Sequence, residues 1–191
     1  KLETEEDAIR SSGKQAHAFA ADLSVPGSAE KLYFEITQAK LTIDLLINNA
    51  GYGRWGEFTE FTRDDYARMI QLNITSLTEL CHLAIPDMVA RGNGGVINIG
   101  STASFLPVPF ASVYSASKAY VLLFSEAIRY EYADKGVRVM TLCPGATATD
   151  FSRVASEKSS AELRDLNAKL TESGQAGMSG EEVAIEGLDA F

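Results

Sequence analysis

Two residues with opposed acid–base character, Tyr114 and Lys118, stand four apart in the stretch YSASK. On a helix that spacing puts both side chains on one face, one turn from each other. The chemistry such a pair could do is proton transfer. A phenol titrates near 10, too high for acid–base work at neutral pH, and an adjacent ammonium favours the phenolate. Taken alone the pair is weak, because a partly buried tyrosine beside a snorkelling lysine has the same pattern. Its weight comes from the small polar residues elsewhere in the chain: Asp22-Leu23, Asn48-Asn49-Ala50-Gly51, Asn73, Gly100-Ser101, and Pro144-Gly145 followed by Thr147 and Thr149.

Most of these residues end apolar runs. IDLLINNAG, GGVINIGS and GVRVMTLCPG are apolar on both faces, as buried parallel strands are. QAHAFAADLS alternates at Ala16, Ala18 and Ala20 and reads as a further strand, ending at Asp22. Helical patterns lie between these runs. KLETEEDAIRSSGK closes at Gly13, and residues 26–40 carry helical spacing at Leu32, Ile36 and Ala39. Residues 62–91 form a long helix with Thr62 as cap and Pro86 as a kink, and residues 113–135 form another. A polar segment, 152–160, leads into helical patterns up to Phe191. Strands alternating with helices predict an α/β fold: a doubly wound parallel Rossmann-type sheet in a three-layer α/β/α arrangement. Ligands of such sheets sit at the carboxyl ends of the strands, where the polar residues fall.

Bulk properties bound the rest. With 191 residues, 46% hydrophobic and 23% charged, the chain reads as one domain, 1–191, large enough to enclose a cleft. A formal net charge of −9 argues against nucleic acid as a partner. Residues 92–117 carry no charge, but Pro107, Pro109 and several glycines and serines rule them out as a lipid-exposed span. Cys81 and Cys143 form no CxxC or Cys/His cluster, so no metal site is expected. They read as reduced, buried thiols of a cytoplasmic protein. Ser101 lies outside any G-x-S-x-G turn and neither histidine falls on a strand-end loop, which leaves a serine hydrolase weakly supported.

Asn48-Asn49-Ala50-Gly51, Ser101 thirteen residues before Tyr114-x3-Lys118, and Pro144-Gly145-x3-Thr149 together resemble the short-chain dehydrogenase/reductase family. Four fixed residues such as NNAG arise by chance about once in 10^5 positions, so their conjunction in this order is specific. The resemblance runs from Asp22 to about Phe151. It implies an NAD(P)-dependent oxidoreductase that moves a hydride between nicotinamide and a carbonyl or secondary alcohol. Asn73, Ser101, Tyr114 and Lys118 would be its catalytic set, with Tyr114 as general acid/base. Bringing a phenol from about 10 to about 7 takes roughly 4 kcal/mol. A unit charge about 4 Å away at an effective dielectric of 20 supplies that much. Lys118, helped by an oxidised nicotinamide, would be that charge. Ser101 would orient the substrate oxygen, and Asn73 would hold a water linking Lys118 to solvent.

By the same resemblance Asp22 and Leu23 would meet the adenine, and Asn48, Ala50 and Gly51 the adenosine ribose. Pro144, Gly145, Thr147 and Thr149 would meet the nicotinamide and pyrophosphate. NADP is favoured over NAD on subgroup likeness. Tyr52, Arg54, Trp55, Phe105, Leu106, Val108, Phe110 and Phe151 are the pocket candidates. They are mostly apolar, which implies an apolar substrate, with Arg54 able to meet an anionic group. A homodimer or homotetramer through helices 62–91 and 113–135 is implied. The competing function is a non-catalytic dinucleotide sensor or scaffold on the same fold. The family's Gly-rich turn after its first strand is not in these residues, nor is its last strand. The resemblance therefore implies a sheet incomplete at both ends, its third strand left without a neighbour.

Overall fold

The computed structural model describes residues 2–157, 159–162, 165 and 177–191. Its centre is a parallel sheet of β1 (Leu45–Asn48), β2 (Gly94–Ile99) and β3 (Val137–Leu142), in that order, with Ile47 beside Ile97 and Ile97 beside Met140. Before β1 come α1 (Leu2–Ser11) and α2 (Ser28–Gln38). Between β1 and β2 lies a continuous helical rod. It consists of α3 (Arg63–Ile70), a π-helical stretch (Gln71–Ser76) and α4 (Leu77–Arg91). A 3-10 turn, Thr102–Phe105, then α5 (Ser112–Tyr132) and a second 3-10 turn, Ala133–Lys135, connect β2 to β3. After β3 come α6 (Phe151–Ser156) and α7 (Gly180–Ala190).

Side chains of a strand alternate between the sheet's faces, and the glycines that open β2 show what covers each. A Cβ on Gly94 would collide with Met88 of α4, whereas one on Gly95 would collide with Phe191 after α7. So α4 and α5 cover one face and α7 lies over the other. The core sits on the α4/α5 face, where Leu77, Cys81, Met88, Val96, Val121 and Val139 are buried together. α5 turns a periodic face into that core: Ser117, Lys118, Val121, Ser125 and Ile128 are buried, while Ala116, Tyr120, Leu123, Ala127 and Tyr130 are exposed.

The expected helices are present with small changes at their ends. Thr62 does cap α3, its hydroxyl accepting from Asp65 N at 3.1 Å. Pro86 lies inside α4. One strand is not formed. Residues 15–22, read from QAHAFAADLS, belong to no ladder. Alternation supplies a face but not a partner, and without a paired neighbour the stretch stays outside the sheet. The helical patterns expected between 160 and 180 fall largely outside the described residues. Among the described residues, no helix is long and apolar enough to cross a membrane, and no cluster of His, Cys, Asp or Glu could hold a metal ion.

Candidate active site

A cleft of about 790 Å³ opens at the carboxyl ends of the strands and runs beneath α7. Its size is that of a ligand site. Each strand end contributes one wall.

β1 runs into Asn48, Asn49, Ala50 and Gly51. Asn48 turns inward and is buried, donating to Asn98 Oδ1 at 2.8 Å and to Cys81 Sγ at 3.3 Å. It ties β1 to β2 and α4 and does not face the cleft. Asn49 and Gly51 line the cleft instead, and Ala50 does not. Gly51 is squeezed: a Cβ there would stand 3.2 Å from Asn73 Oδ1 and 3.5 Å from Lys118 Nζ. Those two catalytic candidates therefore converge on one short piece of backbone.

Asn73 sits in the π-helical stretch and is 2% exposed. Its amide braces the loop after β1. Oδ1 accepts from Tyr52 N at 3.2 Å, and Nδ2 donates to Tyr52 O at 2.9 Å and to Ser117 Oγ at 3.1 Å. Both amide hydrogens are thereby engaged.

β2 runs into Ser101. The Ser101 hydroxyl accepts from Ala103 N at 3.1 Å, opening the 3-10 turn. It lies beside Tyr114, on the first turn of α5, and pulls that phenol's pKa down. The Tyr114 ring is pinned between the loop and α6, with Phe151 5.4 Å away centroid to centroid. A Cβ on Gly53 would stand 3.2 Å from Tyr114 Cδ2. One turn on, Lys118 is buried and donates to Ile99 O at 2.7 Å. Its nitrogen lies 5.9 Å from the Tyr114 ring centre.

These surroundings change the electrostatics expected from the Tyr/Lys spacing. Burial pushes the Tyr114 phenol above its ordinary value, and Ser101 pulls the other way. The direction is opposite to the lowering expected from an adjacent ammonium. Desolvation dominates, and the ammonium is turned to the Ile99 carbonyl. Lys118 itself loses its proton easily, since burial brings its pKa down to about 8.

β3 runs into Cys143, whose thiol burial pushes up. Pro144, Gly145, Thr147 and Thr149 follow, and all four line the cleft. Thr147 donates to Gly145 O at 3.2 Å, and Thr149 Oγ1 accepts from Phe151 N at 3.3 Å. Thr102 N, donating to Pro144 O at 2.9 Å, joins this loop to the one after β2.

So Gly51, Ser101, Tyr114, Lys118, Pro144, Gly145, Thr147 and Thr149 come together, with Asn73 behind them. Asp22 and Leu23 do not line the cleft. Asp22 binds Ser24 and, at 2.9 Å, Arg68, while Leu23 O accepts from Ser76. Of the pocket candidates, Arg54, Trp55, Leu106, Val108 and Phe151 line the cleft. Tyr52 lies behind it, and Phe105 and Phe110 are 65% and 46% exposed. Sequence reasoning missed Asn49 as the cleft-facing asparagine. It also missed Val183, Ala184 and Leu188 of α7, which carry no local sign of a site. For Asn49 the period of two was the available signal, since Asn48 and Asn49 must point to opposite faces.

Known proteins resemble this chain along most of its length. The ketoacyl reductase HetN of Nostoc is 31% identical over 161 residues, which are 84% of this chain and 56% of that protein. The inactive hydroxysteroid dehydrogenase-like protein 1 of Pongo abelii is 35% identical over 133 residues, covering 68% of this chain and 40% of that one. The chain thus spans about half the length of these relatives. Among solved structures, a gluconate 5-dehydrogenase from Burkholderia cenocepacia, in complex with NADP and tartrate, superposes with a TM-score of 0.75. It is 27% identical, over 92% of this chain and 68% of that one. The short chain dehydrogenase family model matches residues 1–160, and with the strand-end residues assembled as described, the chain belongs to that family.

Proposed function

We propose that the protein is an NAD(P)-dependent oxidoreductase acting between a carbonyl and a secondary alcohol, with Tyr114 as its general acid/base. The observation that carries this is the convergence of Tyr114, Ser101 and Lys118 at the mouth of one cleft. The cleft fits a nicotinamide nucleotide. It offers the hydroxyls of Ser101, Thr102, Thr147 and Thr149, the Lys118 cation, and no carboxylate among the described residues. When bound, that cofactor supplies or accepts the hydride. Both NADP and NAD suit this donor set, and the NADP held by the gluconate dehydrogenase favours NADP.

The protein's own groups handle the proton. In the reductive direction the carbonyl carbon gains a hydride and its oxygen gains the Tyr114 proton, giving the alcohol. Ser101 stands beside that phenol and would hold the same substrate oxygen. Burial keeps the phenol protonated at neutral pH, which favours reduction. The Lys118 proton, weakly held, can replace the one Tyr114 gives up. Asn73 holds the loop that closes this region. Leu106, Val108 and Phe151 give the substrate an apolar wall.

The relative named inactive supports the second reading, a dinucleotide-binding sensor or scaffold. Tyr114→Phe separates the two. Turnover of aldehydes and ketones should fall by at least 1000-fold, while nicotinamide nucleotide affinity changes less than threefold. A variant that still turns substrate over removes Tyr114 from the mechanism. The exposed stripe of α5, with Tyr120, Leu123 and Tyr130, would mediate a homodimer or homotetramer. The free thiols of Cys81 and Cys143 suit the reducing cytoplasm.

A further inference from the structure

The loop after β1 carries a charge that the fold leaves incompletely paired. Arg54 lines the cleft, yet it is partly buried, with its side chain 15% exposed. A guanidinium has five N–H donors and cannot shed its charge. Its ion-pair partner, Asp65 Oδ1, stands 3.6 Å from Nη2, beyond hydrogen-bond range. Asp65 is committed elsewhere: Oδ2 accepts from Thr62 N at 3.2 Å and from Thr62 Oγ1 at 2.7 Å. Arg54 Nε is buried with no hydrogen-bond partner. The Tyr52 ring, 5.2 Å from Cζ, supports the plane of the group but takes none of its N–H bonds. A partly desolvated cation left with an unpartnered N–H is costly unless an acceptor completes it.

The position matters as much as the charge. Gly53 packs against the Tyr114 ring, and Arg54 is the next residue, one Cα step of about 3.8 Å along. Asn73 clamps Tyr52 on the other side. Trp55 N donates to Ala155 O at 3.0 Å, fixing the loop beyond. The Arg54 backbone is therefore fixed close to the proposed proton donor, and its guanidinium lies over the Tyr52 ring and toward Asp65. Among the described residues, Arg54 and Lys118 are the charged groups of the cleft wall, with no carboxylate, in a chain of net charge −9.

Resting on the reading of Tyr114 as the acid/base, we propose that Arg54 is the specificity-determining residue and that the substrate is a carboxylate-bearing ketone or alcohol. The planar fork matches a carboxylate in two-point contact. The apolar body of such an oxo acid or hydroxy acid would lie on Leu106, Val108 and Phe151. Trapping an anion in an acidic protein is helped by a local cation partly sheltered from water, and Arg54 is one.

The test uses the full chain with its nicotinamide cofactor and a series of oxo acids. One to four carbons separate their carbonyl and carboxylate, and each is paired with its methyl ester. The wild type should prefer at least one acid over its ester by tenfold or more in kcat/KM, mainly through KM. Arg54→Gln should bring that ratio close to one, and Arg54→Lys, a point charge without the fork, should fall between. The inference is overturned if no acid is preferred, or if Arg54→Gln slows acid and ester in proportion, the mark of a purely structural tie to Asp65. It is equally overturned if Arg54→Gln leaves the ratio intact and weakens the nucleotide instead. Should nothing turn over, calorimetry with the same acids decides separately. Binding that Arg54→Gln removes keeps the anion site and sinks the oxidoreductase reading, while identical titrations of the two proteins sink the site.

Discussion

Lys118 is the residue whose environment and role pull hardest against each other. It is 6% exposed, its ammonium reaches one backbone carbonyl, and burial brings its pKa from 10.5 to about 8. The folded state thus binds this proton less tightly than the unfolded chain does. Protonated Lys118 therefore costs stability below pH 8, and the cost fades as pH rises toward 10.5. Between pH 8 and 10 the recovered stability is about 2 kcal/mol. Tyr114, shifted upward, works in the opposite sense and only above its ordinary value near 10. Comparing urea unfolding of the wild type with Lys118→Met isolates the first effect. The difference between the two should shrink or grow by about 2 kcal/mol across that window, in favour of the wild type as pH rises. A pH-independent difference would mean the ammonium is well paired after all. The candidate site was legible at this scale as a set of residue types at fixed spacing. Its electrostatics were not, because desolvation depends on what packs around a side chain. Asn48 marks the same limit: NNAG shows that two asparagines end a strand, but not that the first is taken by Asn98 and Cys81.

At the scale of elements, local signals survived wherever the hydrogen bonds are local. The Thr62 cap, the closing Gly13 (φ 81°) and the period of α5 are all formed within one segment. Residues 15–22 and the π-helical stretch depend on partners distant in sequence. Asn73 is held by Tyr52, 21 positions away, and by Ser117, 44 away. Asn73→Ala should cost about 1–3 kcal/mol, since it strips bonds from the partly buried backbone of Tyr52. Amide exchange in residues 51–55 should quicken with it, whereas a merely surface asparagine would leave exchange unchanged. The turns at the lower edge of the sheet make a sharper pair. Gly92, ending α4, and Gly136, preceding β3, both have positive φ, 64° and 77°. A Cβ on Gly92 meets nothing within 4 Å, while one on Gly136 would overlap the Gly92 carbonyl. Gly92→Ala should cost about 1–2 kcal/mol, the ordinary price of a left-handed alanine. Gly136→Ala must add a backbone displacement, and its loss in urea unfolding should exceed that of Gly92→Ala by at least about 1 kcal/mol. Equal losses would show that the two turns do not touch.

For the whole molecule, the distribution of apolar surface carries information that composition could not. The chain is acidic overall, with a net charge of −9, yet α5 presents Tyr120, Leu123 and Tyr130 at 37%, 71% and 72% exposed, on one stripe with Ala116 and Ala127. The stripe lies opposite the buried face that holds Lys118, so any helix packed against it would press α5 onto the sheet. The Tyr120–Phe124 stack and the Tyr120 hydroxyl beside Thr78 extend this surface toward α4. Isolated exposed leucines are unremarkable in a soluble protein, whereas an apolar stripe of three turns marks an interface. A second copy of the chain is the occupant we propose, the same stripe meeting itself across a two-fold axis. Leu123→Glu places a carboxylate at the middle of that stripe, opposite its own symmetry mate. In sedimentation velocity the wild type should run as a dimer or tetramer and Leu123→Glu as a monomer. The fold should survive, because residue 123 is 71% exposed and touches no core. Near-neutral stability of the dissociated variant, judged by far-UV circular dichroism on heating, distinguishes a lost interface from lost folding. If Leu123→Glu keeps the wild-type sedimentation coefficient, α5 faces solvent and the oligomer, if one forms, is built elsewhere.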